Sequence, residues 1–259
     1  MRNLIYQYWY GVQPFYAMAS SVNIKAYADL VGADYRCDIN NPFIVGSNVE
    51  FMNCLRPIQD PAFDEYDNVL FLDMDIFATE NAQDNIFDVS VDGVGMVQEV
   101  LQPDLRQKSS SRINGVNDKI WAASVKKRFD IDVPVDHKNR PLVYNSGVVM
   151  YTKEARQQAR RWMSYEQYRG AVTHLDRFYQ LDQNYLGAVV FSGETKFTEL
   201  DIKWNSQVYY TGNNEPRDVV DNRVDQTVFV HLQTRPRNIM TNDMIDDIVN
   251  KPVSEWRHR

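Results

Sequence analysis

The sequence predicts an α/β fold built on a mainly parallel central sheet flanked by helices. Three observations carry this. Short apolar runs alternate with longer segments of three-and-four spacing from the start of the chain, the pattern of β–α units. The run Val69-Leu70-Phe71-Leu72 is continuously apolar, as expected of a strand covered on both faces. The 259 residues are 44% hydrophobic and 24% charged, an ordinary globular balance with enough chain for a sizeable core.

The elements follow in order. Leu4-Ile5-Tyr6-Gln7-Tyr8-Trp9 is apolar and aromatic and stops near Gly11, which predicts a first buried strand. Phe15, Met18, Ala19, Val22, Ala26 and Leu30 predict an amphipathic helix begun by Pro14 and stopped by Gly32. A short strand is expected over 33–37, and a helix over 48–55 ended by Pro57. The polar turn 64–68 leads into the 69–72 strand. Gly93–Val97 and Val148–Tyr151 read as further strands. The latter leads into a helix from Thr152 carrying Ala155, Ala159, Trp162 and Met163. A helical stretch over 175–186, a late strand at 228–230 and a last helix over 239–249 complete the pattern. With no internal repeat or linker, a single domain spanning 1–259 is expected.

Charge narrows the function classes. The net charge is −7, from 28 Lys+Arg and 35 Asp+Glu, which argues against general nucleic-acid binding and favours a cation held by converging carboxylates. Residues 100–142 run against the total, with nine Lys+Arg and five Asp. They read as an insertion from the sheet, either a solvated surface excursion or an acceptor-binding lid. Two cysteines, Cys37 and Cys54, exclude a disulfide framework and suit a reducing compartment. The uncharged stretch from Asn3 to Ile24 contains Gln7, Gln13, Pro14, Ser20, Ser21 and Asn23, so it lacks the compact apolar centre of a signal peptide. A cytoplasmic protein without a transmembrane segment is expected.

Asp73-Met74-Asp75 sits at the carboxyl end of the 69–72 strand. Ligands of open α/β sheets bind there, and two carboxylates one residue apart can share a hard divalent ion. Such an ion bridges diphosphate oxygens and neutralises a leaving group. Two solvated or capping aspartates are the alternative. Dehalogenase-like phosphatases also place such a pair after a strand, with the first Asp as nucleophile. They expect Thr or Val where this chain has Phe77, and they place the pair nearer the N-terminus.

Further segments follow in a fixed order: Asn145-Ser146-Gly147 entering a strand, Asp182-Gln183 at a helix start, Trp204-Asn205, and a strand ending in His231. From Leu4 to about Pro236 this set resembles the GT-A (Rossmann-like) glycosyltransferases, and most closely family 8 and its glycogenin-like and lipopolysaccharide galactosyltransferase-like relatives. The resemblance implies that Asp73, Asp75 and His231 hold Mn²⁺ (or Mg²⁺). The nitrogen ligand slightly favours manganese. It implies that Asn145 and Ser146 line a donor-sugar pocket, that Gly147 allows close backbone approach, and that Asp182 and Gln183 meet the sugar near its reacting face. Arg56, seventeen residues before Asp73, takes the place of a basic residue over the donor, or is a surface arginine beside Pro57. Tyr6 and Tyr8 contact the base, or pack in the core. Relatives follow the histidine with Gly and then Lys-Pro-Trp. This chain has Gln233-Thr234-Arg235-Pro236, and Arg235 would hold the diphosphate.

The implied activity is metal-dependent transfer of a hexose-type sugar from a nucleoside-diphosphate sugar, UDP-linked, to a glycan or other hydroxyl acceptor. Asp182-Gln183 resembles the retaining branch. An inverting enzyme needs a carboxylate base on the acceptor side, and Glu99 is the candidate. The alternatives are a phosphatase with Asp73 as nucleophile and a non-catalytic nucleotide-sugar-binding module.

Overall fold

The computed structural model describes residues 1–46, 49–80, 82–109, 111–211, 218–232 and 241–256. The first apolar run forms β1 (Asn3–Trp9), which lies between β2 (Asp34–Ile39) and β3 (Asn68–Leu72), parallel to both. Alternate residues of these strands enter two different cores. Leu4, Tyr6, Val69 and Phe71 pack on one face, and Ile5, Leu70 and Leu72 on the other. Both faces are covered, which is why the runs are continuously apolar.

Three residues after β3 the chain reverses into β4 (Ile76–Ala78). The main sheet continues through β5 (Val94–Gln98), β6 (Tyr144–Thr152) and β7 (Phe197–Leu200), in the order β2-β1-β3-β6-β5-β7. Strand β6 runs antiparallel to β3 and to β5, and the remaining pairs are parallel. A second, four-stranded sheet was not anticipated. It pairs β4 with β10 (Phe229–Leu232), β10 with β8 (Ser206–Thr211) and β8 with β9 (Asp218–Asp221).

Helix α1 (Phe15–Val31) has the predicted ends. Pro14 precedes it, and Gly32 closes it at φ 67°, a left-handed position where glycine carries no Cβ penalty. Its buried face differs from the predicted one. Met18, Val22 and Leu30 are 47%, 72% and 59% exposed, while Tyr16, Ala17, Ser20, Ile24, Tyr27 and Ala28 are buried. The buried face is small and aromatic, and Ser20 enters it because its hydroxyl donates to the Ile76 carbonyl at 2.7 Å and accepts from Gln7 Nε2 at 3.1 Å.

Pro57 does not stop the 48–55 segment. Helix α2 (Val49–Met52) passes through a 3₁₀ turn into α3 (Arg56–Gln59), where Pro57 sits in the first turn and its missing N–H costs nothing. Residues 100–142 contain α4 (Gln102–Lys108) and α5 (Gly115–Phe129). This segment is anchored to the core. Trp121 and Val125 of α5 are buried, and the Trp121 indole N–H donates to the Tyr168 hydroxyl at 2.9 Å.

After β6 come α6 (Lys153–Ala159), which ends before Trp162, and α7 (Tyr165–Val172) with a Ser164–Gln167 capping box. The 175–186 stretch is broken at Leu181 into a 3₁₀ turn and α8 (Asp182–Phe191). Helix α9 (Asn242–Asn250) follows the second sheet. Among the described residues, no helix is long and apolar enough to cross a membrane.

Arg156 of α6 is fully buried and donates to three carbonyls, of Tyr151 (2.8 Å), Phe63 (3.1 Å) and Tyr66 (2.6 Å). It joins β6 to the turn before β3. Arg156→Ala removes this buried donor from all three carbonyls, although that of Phe63 keeps the Tyr66 N–H at 3.1 Å, and a loss of about 1–3 kcal/mol is expected in urea unfolding. A loss under about 1 kcal/mol would mean that water replaces the guanidinium there.

Candidate active site

The site forms where β3, the turn after it, β6 and β10 meet. Asp73 ends β3. Its N–H donates to the Gly147 carbonyl at 2.8 Å, and its carbonyl accepts from the Ile76 N–H at 3.2 Å, which closes the turn into β4. Gln7, buried in β1, donates from Nε2 to the same Asp73 carbonyl at 3.1 Å, and its Oε1 accepts from the Tyr35 hydroxyl at 2.8 Å. Gln7 thus pins the turn that carries the acidic pair. Sequence reasoning missed this role. The signal available was a lone amide inside an otherwise apolar strand.

Strand β10 pairs antiparallel with β4, His231 opposite Ile76, and the Leu232 N–H donates to the Asp75 carbonyl at 2.9 Å. This ladder carries the imidazole to the acidic pair, with His231 Nε2 3.2 Å from an Asp75 carboxylate oxygen. Ligand atoms of Asp73, Asp75 and His231 all lie within 4.8 Å of one another. A nitrogen and two carboxylates at this separation fit a divalent cation.

Gly147 completes the cradle. A Cβ there would come 2.6 Å from His231 Cε1, 2.9 Å from Asn145 Oδ1 and 3.0 Å from Asp73 Oδ2. The position is reached through an irregularity in β6. Met96 of β5 faces Val149, but the next residue, Val97, faces Asn145. The β5 ladder therefore skips 146–148, freeing Ser146 and Gly147 to face the site while Val148 stays paired with Leu72 of β3.

The electrostatics suit a cation. Loss of surrounding water, followed by the Asp75 charge, pushes the Asp73 carboxyl up to about 8, against the opposing pull of His231. Burial would lower the His231 imidazole, but Asp75, then Asp73 and Glu99, outweigh it and raise it. A raised carboxyl in the folded state contributes stability that is complete below its unfolded value of about 3.9 and is lost as pH rises through the folded one. The contribution of Asp73 to the stability of the metal-free protein therefore falls as pH rises from about 4 towards 8. A bound cation offsets this and competes with protons, so the rise in Tm on adding Mn²⁺ should be larger at about pH 8 than at about pH 6. Equal Tm shifts at the two pH values would contradict the assignment.

Beside the cradle lies a cavity of about 210 Å³. Asp73, Ser146, Asp182 and Gln183 supply its polar wall, and Tyr8, Phe51, Cys54, Phe71, Phe178 and Leu181 the rest. Asp182 and Gln183 begin α8. Burial raises the Asp182 carboxyl, while hydrogen bonds from Ser146 and from the Cys54 thiol (3.5 Å) oppose the rise. Cys54 is a second lining residue that the sequence did not single out.

The remaining predicted residues fall as follows. Tyr8 is on the cavity wall. Tyr6 is fully buried, with its ring edge-on to Phe63 at 5.1 Å, and belongs to the core. Arg56 is buried in an ion network with Asp38 (2.6 Å) and Asp60 (3.1 Å) and is not among the residues lining the cavity. Asn145 is buried behind Gly147, and its Oδ1 accepts from the Gly147 N–H at 2.8 Å. Glu99 is 3% exposed and engaged by Asn145 (2.7 Å), so it does not face an incoming acceptor. Arg235 lies outside the described residues.

The family model described as Glycosyl transferase family 8 matches residues 46–235. A search of curated proteins gives no match. Among solved structures, an active-site mutant of LgtC is 11% identical, with coverage of 89% of this chain and 87% of that chain at a TM-score of 0.50. A glycosyltransferase involved in glycosylation of the major capsid of PBCV-1 is 13% identical, covering 89% and 93% at a TM-score of 0.47. Mouse xyloside xylosyltransferase 1 is 14% identical, covering 80% and 88% at 0.47.

Proposed function

Because the chain belongs to glycosyl transferase family 8 and folds as a GT-A glycosyltransferase, we propose that it transfers a hexose-type sugar from a nucleoside-diphosphate sugar, UDP-linked, to a glycan or other hydroxyl acceptor, with retention. The observation that carries this reading is the convergence of Asp73, Asp75 and His231 beside a cavity whose polar wall is Asp73, Ser146, Asp182 and Gln183. Family membership sets aside the phosphatase with Asp73 as nucleophile.

Asp73, Asp75 and His231 would hold Mn²⁺, or Mg²⁺. When bound, the ion supplies positive charge against a departing diphosphate. The donor sugar would occupy the cavity, with Ser146, Asp182 and Gln183 as hydrogen-bonding partners for its hydroxyls and Tyr8, Phe71 and Phe178 against its apolar faces. Held there, the anomeric carbon meets the acceptor hydroxyl as a positioned pair, which lowers the entropic part of the barrier. In the retaining reading the bond from anomeric carbon to phosphate oxygen breaks as the acceptor oxygen bonds on the same face. The acceptor proton then passes to the leaving phosphate oxygen. No separate base is needed, consistent with the engagement of Glu99. Arg235 is the candidate second cation for the diphosphate. The basic 100–142 segment is the candidate acceptor-side surface.

The test is UDP release from a panel of UDP-sugars with Mn²⁺, followed by transfer to simple glycosides. Release with at least one donor, abolished by chelation, is expected. No release with any donor would sink the reading. The anomeric configuration of the first product, read by NMR, decides retention.

A further inference from the structure

We propose that Asn205 is a positioning residue for the cation site, the middle of a buried polar relay anchored on Glu99 that fixes which nitrogen of His231 carries the proton. The inference rests on the metal reading of Asp73, Asp75 and His231. His231 Nδ1 lies 3.2 Å from Asn205 Oδ1, Asn205 Nδ2 is 2.8 Å from Asn145 Oδ1, and Asn145 Nδ2 is 2.7 Å from Glu99 Oε1. All four residues are 2–3% exposed, so the atoms along the relay depend on one another and not on bulk water.

The direction of the relay follows from groups whose roles are not interchangeable. The Gly147 N–H can only donate, and it donates to the Asn145 side chain at 2.8 Å, so that atom is the amide oxygen. At its other end Asn145 meets Glu99. This carboxylate lies 3.6 Å from the Arg106 guanidinium and accepts from Gln207 Nε2 at 3.3 Å. It is an acceptor, so Asn145 presents its NH₂ there. With Asn145 oriented, the Asn205 group facing its oxygen must be the NH₂, which turns the Asn205 oxygen to His231. Nδ1 then carries a proton, and Nε2, which shares a proton with Asp75 in the metal-free protein, is the nitrogen left to offer its lone pair to a cation that displaces that proton on the side of Asp75 and Asp73. An imidazole coordinates only through a lone pair, and the hydrogen bond at its other nitrogen selects which one. Glu99 therefore acts on the site from two amides away.

The test is Mn²⁺ binding to the whole chain without nucleotide, followed by EPR. Asn205→Leu, which removes the acceptor and excludes water, should weaken Mn²⁺ about 10–100-fold, whereas Asn205→Asp, which keeps an oxygen against Nδ1, should stay within about threefold. Wild-type affinity in Asn205→Leu, or equal losses in both variants, overturns the proposal. The wild-type protein offers a second measurement that needs no Asn205 variant. With Cd²⁺ as a diamagnetic substitute, ¹⁵N-histidine NMR should show the His231 signals, assigned by their loss in His231→Gln, with the proton on Nδ1 and the metal on Nε2. The reverse assignment overturns the relay. Failure of the wild type to bind either metal is a different result, because it removes the metal reading beneath the proposal.

Discussion

Replacing Asp75 by alanine should abolish Mn²⁺-dependent turnover while leaving the fold intact. Asp75 contributes its carboxylate to the cradle, but its structural bond is made by the main chain, whose carbonyl accepts from the Leu232 N–H at 2.9 Å. Alanine keeps that carbonyl. The site loses a ligand, and loss of about 4 kcal/mol of charge stabilisation in the transition state corresponds to about 10³-fold in rate. Metal-free Tm should change little or rise, because the like charge that raises the Asp73 carboxyl is gone. The measurements are UDP release under saturating donor and a thermal melt in EDTA. Turnover within tenfold of wild type would remove Asp75 from the cation site. A collapsed Tm would make it a structural residue instead.

Gly147→Ala should be nearly as damaging, for a steric reason. The added methyl would meet His231 Cε1 at 2.6 Å, Asn145 Oδ1 at 2.9 Å and Asp73 Oδ2 at 3.0 Å. None of these neighbours is a loose end. His231 is held by Asn205 and Asp75, Asn145 by Glu99 and Asn205, and Asp73 by the turn that Gln7 pins. Overpacking of this kind costs about 1–3 kcal/mol of stability. A displacement of about 1 Å among reacting groups costs about 10²-fold in activity. Gly170→Ala in α7 is the matched control, since its Cβ would meet nothing within 4 Å. It should be neutral or stabilising by up to about 1 kcal/mol, because alanine is the better helix former. Equal behaviour of the two variants, in urea unfolding and in Mn²⁺-dependent UDP release, would show that the cradle is not tightly packed.

How far the sequence could be read depended on range. Val69–Leu72 is recognisable as a doubly covered strand from its own residues, and the acidic pair at its end needs no partner to be noticed. Pro14 and Gly32 mark the ends of α1 in the same local way. The buried face of α1 was not readable. Ser20 is buried only because Gln7 and the Ile76 carbonyl are there to receive it, and both come from distant segments. The second sheet escaped for a similar reason. Strand β4 is three residues long, too short for a period-two pattern, and exists because β10 returns to pair with it. The placing of Cys54 against Asp182, and of Glu99 behind Asn145 rather than on the acceptor side, depends equally on long-range packing.

The β4–β10 ladder has a consequence for the order in which the protein is made. Asp73 and Asp75 leave the ribosome before Asn205 and His231, which lie 130 residues or more further along the chain. Pairings of such long sequence separation form late, after the loop between them has been closed. A nascent chain thus carries an acidic pair without its nitrogen ligand, on a turn whose closing strand is missing. The three candidate ligands come together only when the second sheet assembles.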